Sequence, residues 1–261
     1  MNGLFSLEGK TALVTGGSRG IGLAVATEFL NAGARVIVCA RREAELAEAA
    51  SQLGANGELT TLVADLSTRL GVEKLAADVA DQTGALDILV NNAGTTWGAP
   101  IDDFPEQGWD KVVTLNLKSL FELTVACLPL LRAAAEADSP ARVINIGSID
   151  GINTPVLENY AYSASKAGVH QLTRHLARRL APEHILVNAI APGMFPSKMT
   201  AFISDNDAIS ETANAMIPLR RMGRPEEIGG TAVYLASRAG GYTTGEVLVV
   251  DGGRTGAGRA D

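Results

Sequence analysis

Short apolar runs alternate with longer amphipathic stretches along this chain. Thr11–Thr15, Arg35–Ala40, Leu59–Ala64, Leu86–Asn91, Arg142–Gly147, Ile185–Ala191 and Glu246–Val250 are β-branched and almost continuously hydrophobic. Such runs predict strands buried on both faces, as in a parallel sheet. Between them, helical spacing covers roughly 20–32, 42–53, 67–83, 108–135, 160–181 and 225–237. Strand and helix alternating at this rhythm predict an α/β fold, a doubly wound parallel sheet of about seven strands with helices on both faces. No repeat or Pro/Gly-rich linker divides residues 1–261, so the length reads as one domain. The stretch Pro192–Pro218 breaks the rhythm, and a long interruption of this kind reads as a substrate lid at about 192–218. The tail after Asp251 reads as loose.

Composition changes this picture little. The chain is 46% apolar with 28 glycines, enough for a proper core and unlike a disordered segment. A net charge of −7 argues against a nucleic-acid partner, because phosphate neutralisation needs clustered Lys and Arg. No run approaches the ~18 apolar residues of a bilayer span, and residues 1–10 carry no leader pattern, so no membrane association and a cytoplasmic setting are expected. Cys39 and Cys127 lie far apart in apolar surroundings and read as free buried thiols.

The turn between the first strand and first helix reads Thr15-Gly16-Gly17-Ser18-Arg19-Gly20-Ile21-Gly22. Glycines here permit a tight turn and let backbone N–H groups approach a pyrophosphate at a helix N-terminus. The spacing is GxxxGxG, so the turn differs from the GxGxxG fingerprint. An acid at the end of the second strand would bind the ribose of NAD. The chain has Cys39-Ala40-Arg41-Arg42 instead. With Arg19 from the glycine loop, these guanidiniums suit a 2′-phosphate, which favours NADPH over NADH. The competing reading has Arg41 and Arg42 merely solvating a helix start. Asp65 reads either as an acceptor for the adenine amine or as a helix cap.

Tyr162 and Lys166 are four apart on a helix, which stacks them on one face. A cation beside a phenol lowers its pKa from about 10 towards the working pH of a general acid/base. Ser148 adds a hydroxyl able to hold a carbonyl or alcohol oxygen. An ordinary surface Tyr–Lys pair would share the spacing. His170, His175 and His184 read as solvated or interface residues, because a spacing of five puts the first two on different faces; no metal site is expected.

These stations, with Asn91-Asn92-Ala93-Gly94, Asn116 and Pro192-Gly193, make the chain resemble the short-chain dehydrogenase/reductase family over nearly its whole length. The resemblance implies a Rossmann-like oxidoreductase. It implies Tyr162 as proton donor, Ser148 positioning the substrate oxygen and Lys166 holding the nicotinamide ribose. It implies Asn116 supporting a water-linked relay. The implied cofactor contacts are Gly16, Ser18, Arg19, Gly20, Ile21, Arg41, Arg42, Asp65 and Leu66. They continue with Asn92, Ala93, Gly94, Tyr162, Lys166, Pro192, Gly193, Phe195 and Ser197. Family members usually carry Thr where Ser197 stands; a hydroxyl is retained. Pairing of two long helices into homodimers or homotetramers is also implied, and Ala161, Ala164, Ala167 and Gly168 would allow close approach.

The segments 92–98 and 191–200 resemble those of bacterial 3-oxoacyl reductases of the rhamnolipid-pathway type. Met194, Phe195, Met199, Phe202, Met216 and Ile217 in the lid, and Trp97, suit a hydrophobic carbonyl substrate, acyl-carrier-bound or CoA-bound. Half of them could equally pack the lid down. The expected reaction is NADPH-dependent reduction of a ketone to a secondary alcohol. The alternatives are a sugar or polyol dehydrogenase of the same family and a non-catalytic NADPH-sensing regulator.

Overall fold

The computed structural model describes residues 3–54, 56–198, 200 and 206–256. Met199 and Phe202, expected to belong to a lid, lie outside the described residues. The strands are β1 Thr11–Thr15, β2 Arg35–Ala40, β3 Leu59–Val63, β4 Ile88–Asn91, β5 Ala141–Ile146, β6 Ile185–Pro192 and β7 Val247–Val250. They form one seven-stranded sheet in the order β3-β2-β1-β4-β5-β6-β7, parallel throughout. The helices are α1 Gly20–Asn31, α2 Glu43–Leu53, α3 Arg69–Gln82, α4 Glu106–Val113, α5 Ser119–Ala134, α6 Tyr160–Leu180, α7 Asp207–Ala215 and α8 Pro225–Ala236.

Alternation along each strand divides the core into two layers. Val14, Val38, Val90 and Ile144 face α1 and α8, where Val25, Phe29, Ile228 and Ala232 meet them. Their neighbours Leu13, Ile37, Leu89 and Val143 face the opposite layer, against Leu75 and Val79 of α3 and Leu123, Cys127 and Leu131 of α5. The strand order reverses between β1 and β4. In open parallel sheets the crevice at that switch, beyond the strand C-termini, is where ligands bind.

The predicted helix over 108–135 is two helices joined by a π-helical turn, Thr114–Lys118. Helical hydrophobic spacing runs through that turn, so the sequence does not betray the extra residue. The whole run Glu106–Ala134 is 29 residues long, and its most apolar 18-residue window has mean hydropathy 1.3, long and apolar enough to cross a bilayer. Its inner stripe is spent on the sheet, as Leu123, Cys127 and Leu131 are buried there. The span 192–218, expected to be a lid, contains a helix the apolar pattern missed, α7, whose N-cap Asn206 accepts from the Ile209 N–H at 3.2 Å. The tail is also better held than expected. Asp251 accepts from the N–H groups of Gly253 and Thr255 at 2.9 and 2.6 Å, and Asn153 Nδ2 donates to Thr255 Oγ1 at 3.0 Å.

Candidate active site

One cleft runs along the C-terminal ends of the strands, from the glycine turn to Tyr162. Its floor is the glycine turn, where Gly16 and Gly20 adopt φ of 63° and 55° that side chains disfavour. A Cβ on Gly22 would lie 2.3 Å from Gly16 O and 2.4 Å from Asn92 Nδ2. Neither neighbour is free to yield, because Asn92 Nδ2 donates to Thr15 O at 2.8 Å and Gly16 O at 3.2 Å. Gly22→Ala is therefore expected to destabilise the fold by about 1–3 kcal/mol through overpacking. A thermal melt reads this, and a melting temperature equal to wild type would show that the turn yields.

At the far end, β5 and α6 bring three side chains together. Ser148 follows β5, and its Oγ accepts from the Asp150 N–H at 3.1 Å. Tyr162 and Lys166 stand one turn apart on α6, with Lys166 Nζ 5.6 Å from the Tyr162 ring centroid. Lys166 is 5% exposed and donates to Ile146 O at 2.7 Å. Burial pushes the Tyr162 phenol up to about 12, against a lowering hydrogen bond with Ser148, and the Asp150 charge raises it further. Burial also pulls the Lys166 ammonium down to about 8. The expected lowering of the phenol pKa is thus reversed: desolvation of the phenol outweighs the lowering hydrogen bond with Ser148.

Asn116 sits behind this group, at the π-helical turn. Its Oδ1 accepts from the Thr95 N–H at 2.8 Å, and its Nδ2 donates to Thr95 O at 2.9 Å and Ser165 Oγ at 3.1 Å. Ser165 Oγ in turn donates to Tyr162 O at 2.7 Å. The amide thus ties the loop after β4 to the first turns of α6, and does not line the cleft.

The other expected contacts converge, with one exception. Ser18, Arg19, Gly20, Ile21, Arg41, Arg42, Leu66, Asn92, Ala93, Gly94, Pro192, Gly193, Phe195 and Ser197 all line the cleft. Asp65 does not, and it is not the helix cap either: its Oδ1 accepts from the Ser67 N–H at 3.0 Å and hydroxyl at 2.7 Å, while Thr68 caps α3 by accepting from the Gly71 N–H at 3.0 Å. Glu45 and Lys198, which the sequence did not single out, line the cleft among the arginines. Glu45 was readable as an i,i+3 partner of Arg42. Lys198 carried no local signal.

Two expectations need correcting. His170 is 4% exposed, not solvated, and lies one turn beyond Lys166 on the same face of α6. Burial, then the charges of Lys166 and Arg174, pulls its pKa down to about 4, so the ring is neutral. Trp97 packs over Gly108 of α4, with Lys111 Nζ 5.4 Å above its ring, and does not line the cleft. Among the described residues no group of His, Cys, Asp and Glu has metal-binding geometry.

A doubly wound sheet with a glycine turn at its switch point and a Tyr–Lys pair at the other end of the cleft defines a dinucleotide-binding oxidoreductase. The family model described as "Enoyl-(Acyl carrier protein) reductase" matches residues 16–255, and the chain belongs to the short-chain dehydrogenase/reductase family. It is 51% identical to the rhamnolipids biosynthesis 3-oxoacyl-[acyl-carrier-protein] reductase of Pseudomonas aeruginosa, covering 97% of this chain and 99% of that protein. It is 39% identical to the 2-dehydro-3-deoxy-D-gluconate 5-dehydrogenase of Bacillus subtilis, covering 95% and 96%. The solved Pseudomonas aeruginosa RhlG/NADP active-site complex superposes with a TM-score of 0.96 at 50% identity, covering 98% of this chain and all of that one.

Proposed function

We propose that this chain is an NADPH-dependent reductase that converts a ketone, best a 3-oxoacyl thioester, to a secondary alcohol. The observation that carries the reading is the pairing of Ser148, Tyr162 and Lys166 at one end of a cleft whose other end presents Arg19, Arg41 and Arg42. The glycine turn fits a pyrophosphate, since the closely packed backbone there leaves no space for a Cβ on Gly22. The arginines fit a 2′-phosphate, and Ala40 puts no carboxylate at the end of β2, where an NAD-binding acid would stand.

When bound, the nicotinamide supplies a hydride to the carbonyl carbon. Tyr162, protonated at neutral pH, donates its proton to the carbonyl oxygen as negative charge gathers there. Ser148 Oγ holds that oxygen beside the phenol. Lys166 offsets the phenolate charge as the proton leaves and would hold the ribose hydroxyls of the bound cofactor. Asn116 positions rather than reacts, through Thr95 and Ser165.

The span 192–218 acts as the lid. Phe195 and Ile217 are buried and anchor it against Gly223 and Gly252, while Met216 stays 47% exposed and free to meet an acyl chain. Exposed Phe121 and Val125 on α5, and exposed small residues Ala164 and Ala167 on α6, support homo-oligomerisation. Two free buried thiols, Cys39 and Cys127, support a cytoplasmic setting.

Initial rates of NADPH and NADH oxidation test the reading on 3-oxoacyl thioesters of rising chain length, simple ketones and ketosugars. Rates that rise with acyl length and require NADPH are expected. Turnover of ketosugars alone would move the substrate to the polyol class, and binding without turnover would favour the sensing regulator.

A further inference from the structure

Among the described residues that line the cleft, Glu45 is the one carboxylate. Its Oε1 alone meets Arg19 Nη1 at 2.5 Å, Arg42 Nη2, and Lys198 Nζ at 3.3 Å. The three cations come from the glycine turn, the start of α2 and the lid, and all line the same cleft. The lid residue is not there by chance of side-chain length. Its turn is fixed by Thr200, whose Oγ1 accepts from the Ser197 N–H at 2.9 Å and donates to Phe195 O at 2.7 Å. Ser197 lies against the glycine turn, 3.4 Å from where a Cβ on Gly20 would stand.

We propose that Glu45 is a resident competitor for the cations that read the cofactor's 2′-phosphate, and that Lys198, from the lid, joins Arg19, Arg41 and Arg42 among those cations. The proposal rests on the NADPH reading. A phosphate monoester needs donors from the same guanidiniums that Glu45 engages. Two anions cannot share them without repulsion, so the phosphate gains Arg19, Arg42 and Lys198 only as the carboxylate gives them up. Glu45 is held ionised for this contest: burial raises its pKa, but the Lys198 hydrogen bond and the Arg19 and Arg42 charges bring it below the usual carboxylate value. The consequence is a cofactor site tuned below its full affinity, with release of the oxidised cofactor favoured. It also couples the lid to the phosphate, because the group that recognises the phosphate stands beside Ser197.

Calorimetric binding of 2′,5′-ADP and of 5′-AMP to the full-length protein separates the phosphate from the rest of the nucleotide. Glu45→Gln is expected to tighten 2′,5′-ADP roughly five-fold, and Lys198→Met to weaken it by a similar factor, the scale of one exposed charge contact. Binding of 5′-AMP should stay within twofold in both. Weaker 2′,5′-ADP binding by Glu45→Gln would make the carboxylate an organiser of the arginines and overturn the competition. An unchanged affinity in Lys198→Met, or an equal loss for both nucleotides, would overturn the lid cation. Failure of the NADPH reading looks different: the wild-type protein would then bind 5′-AMP as tightly as 2′,5′-ADP.

Discussion

Tyr162→Phe should lower turnover of a ketone by about a thousandfold, within the range of a lost general acid, while NADP+ affinity stays within about twofold. The substitution removes one hydroxyl and keeps the ring, so the packing around α6 and the Lys166–ring contact survive. The lost atom is the one that hydrogen-bonds Ser148 and carries a proton held at neutral pH by burial. Neither Tyr160 nor His170 is placed to replace it. Tyr160 is turned away to Glu158, with a 3.1 Å hydrogen bond at the surface. His170, at a pKa of about 4, carries no transferable proton charge near neutrality and sits beyond Lys166. Steady-state rates and calorimetry on the same preparation make the check. Retained turnover would remove Tyr162 from the proton-donor role and leave only its packing.

Much of this arrangement was legible in the sequence because its signals are local. The seven apolar runs end within about two residues of the observed strands; the five inner strands are apolar because both their faces are buried, whereas the edge strands β3 and β7 are partly exposed, against the expectation of burial on both faces. The Tyr162–Lys166 spacing and the glycine turn are each contained in a few residues. What the sequence concealed depends on partners distant in the chain. Lys198 meets Glu45 across 153 positions. The tail's hold rests on Asn153 and Thr255, 102 apart. The π-helical turn at Asn116 leaves the apolar spacing of its helix intact, so only the backbone reveals why that amide can reach both Thr95 and Ser165. His170 looked solvated because its helix face was judged against His175. Judged against Lys166, four residues before it, the same spacing places it in the core beneath Gly147.

Lys166 sets the second large effect, and its sign follows from burial. An ammonium drawn from water loses its charge more readily, so its pKa falls to about 8. Below pH 8 the residue is charged and can offset the phenolate that forms as Tyr162 releases its proton. Above pH 8 the amine is neutral and that support is lost. The kcat/KM for ketone reduction should therefore fall as pH rises through about 8, well before the Tyr162 phenol ionises at about 12. Lys166→Arg keeps a charge that does not titrate in this range, so the descending limb should vanish. Its rate at pH 7 should still drop about tenfold, because the planar guanidinium cannot place a single donor as the ammonium does on Ile146 O. Lys166→Met removes the charge altogether and should cost about a hundredfold at pH 7, with a flat profile. A limb near pH 8 that persists in Lys166→Arg would assign the titration to another group and leave Lys166 as a ribose-holding residue alone.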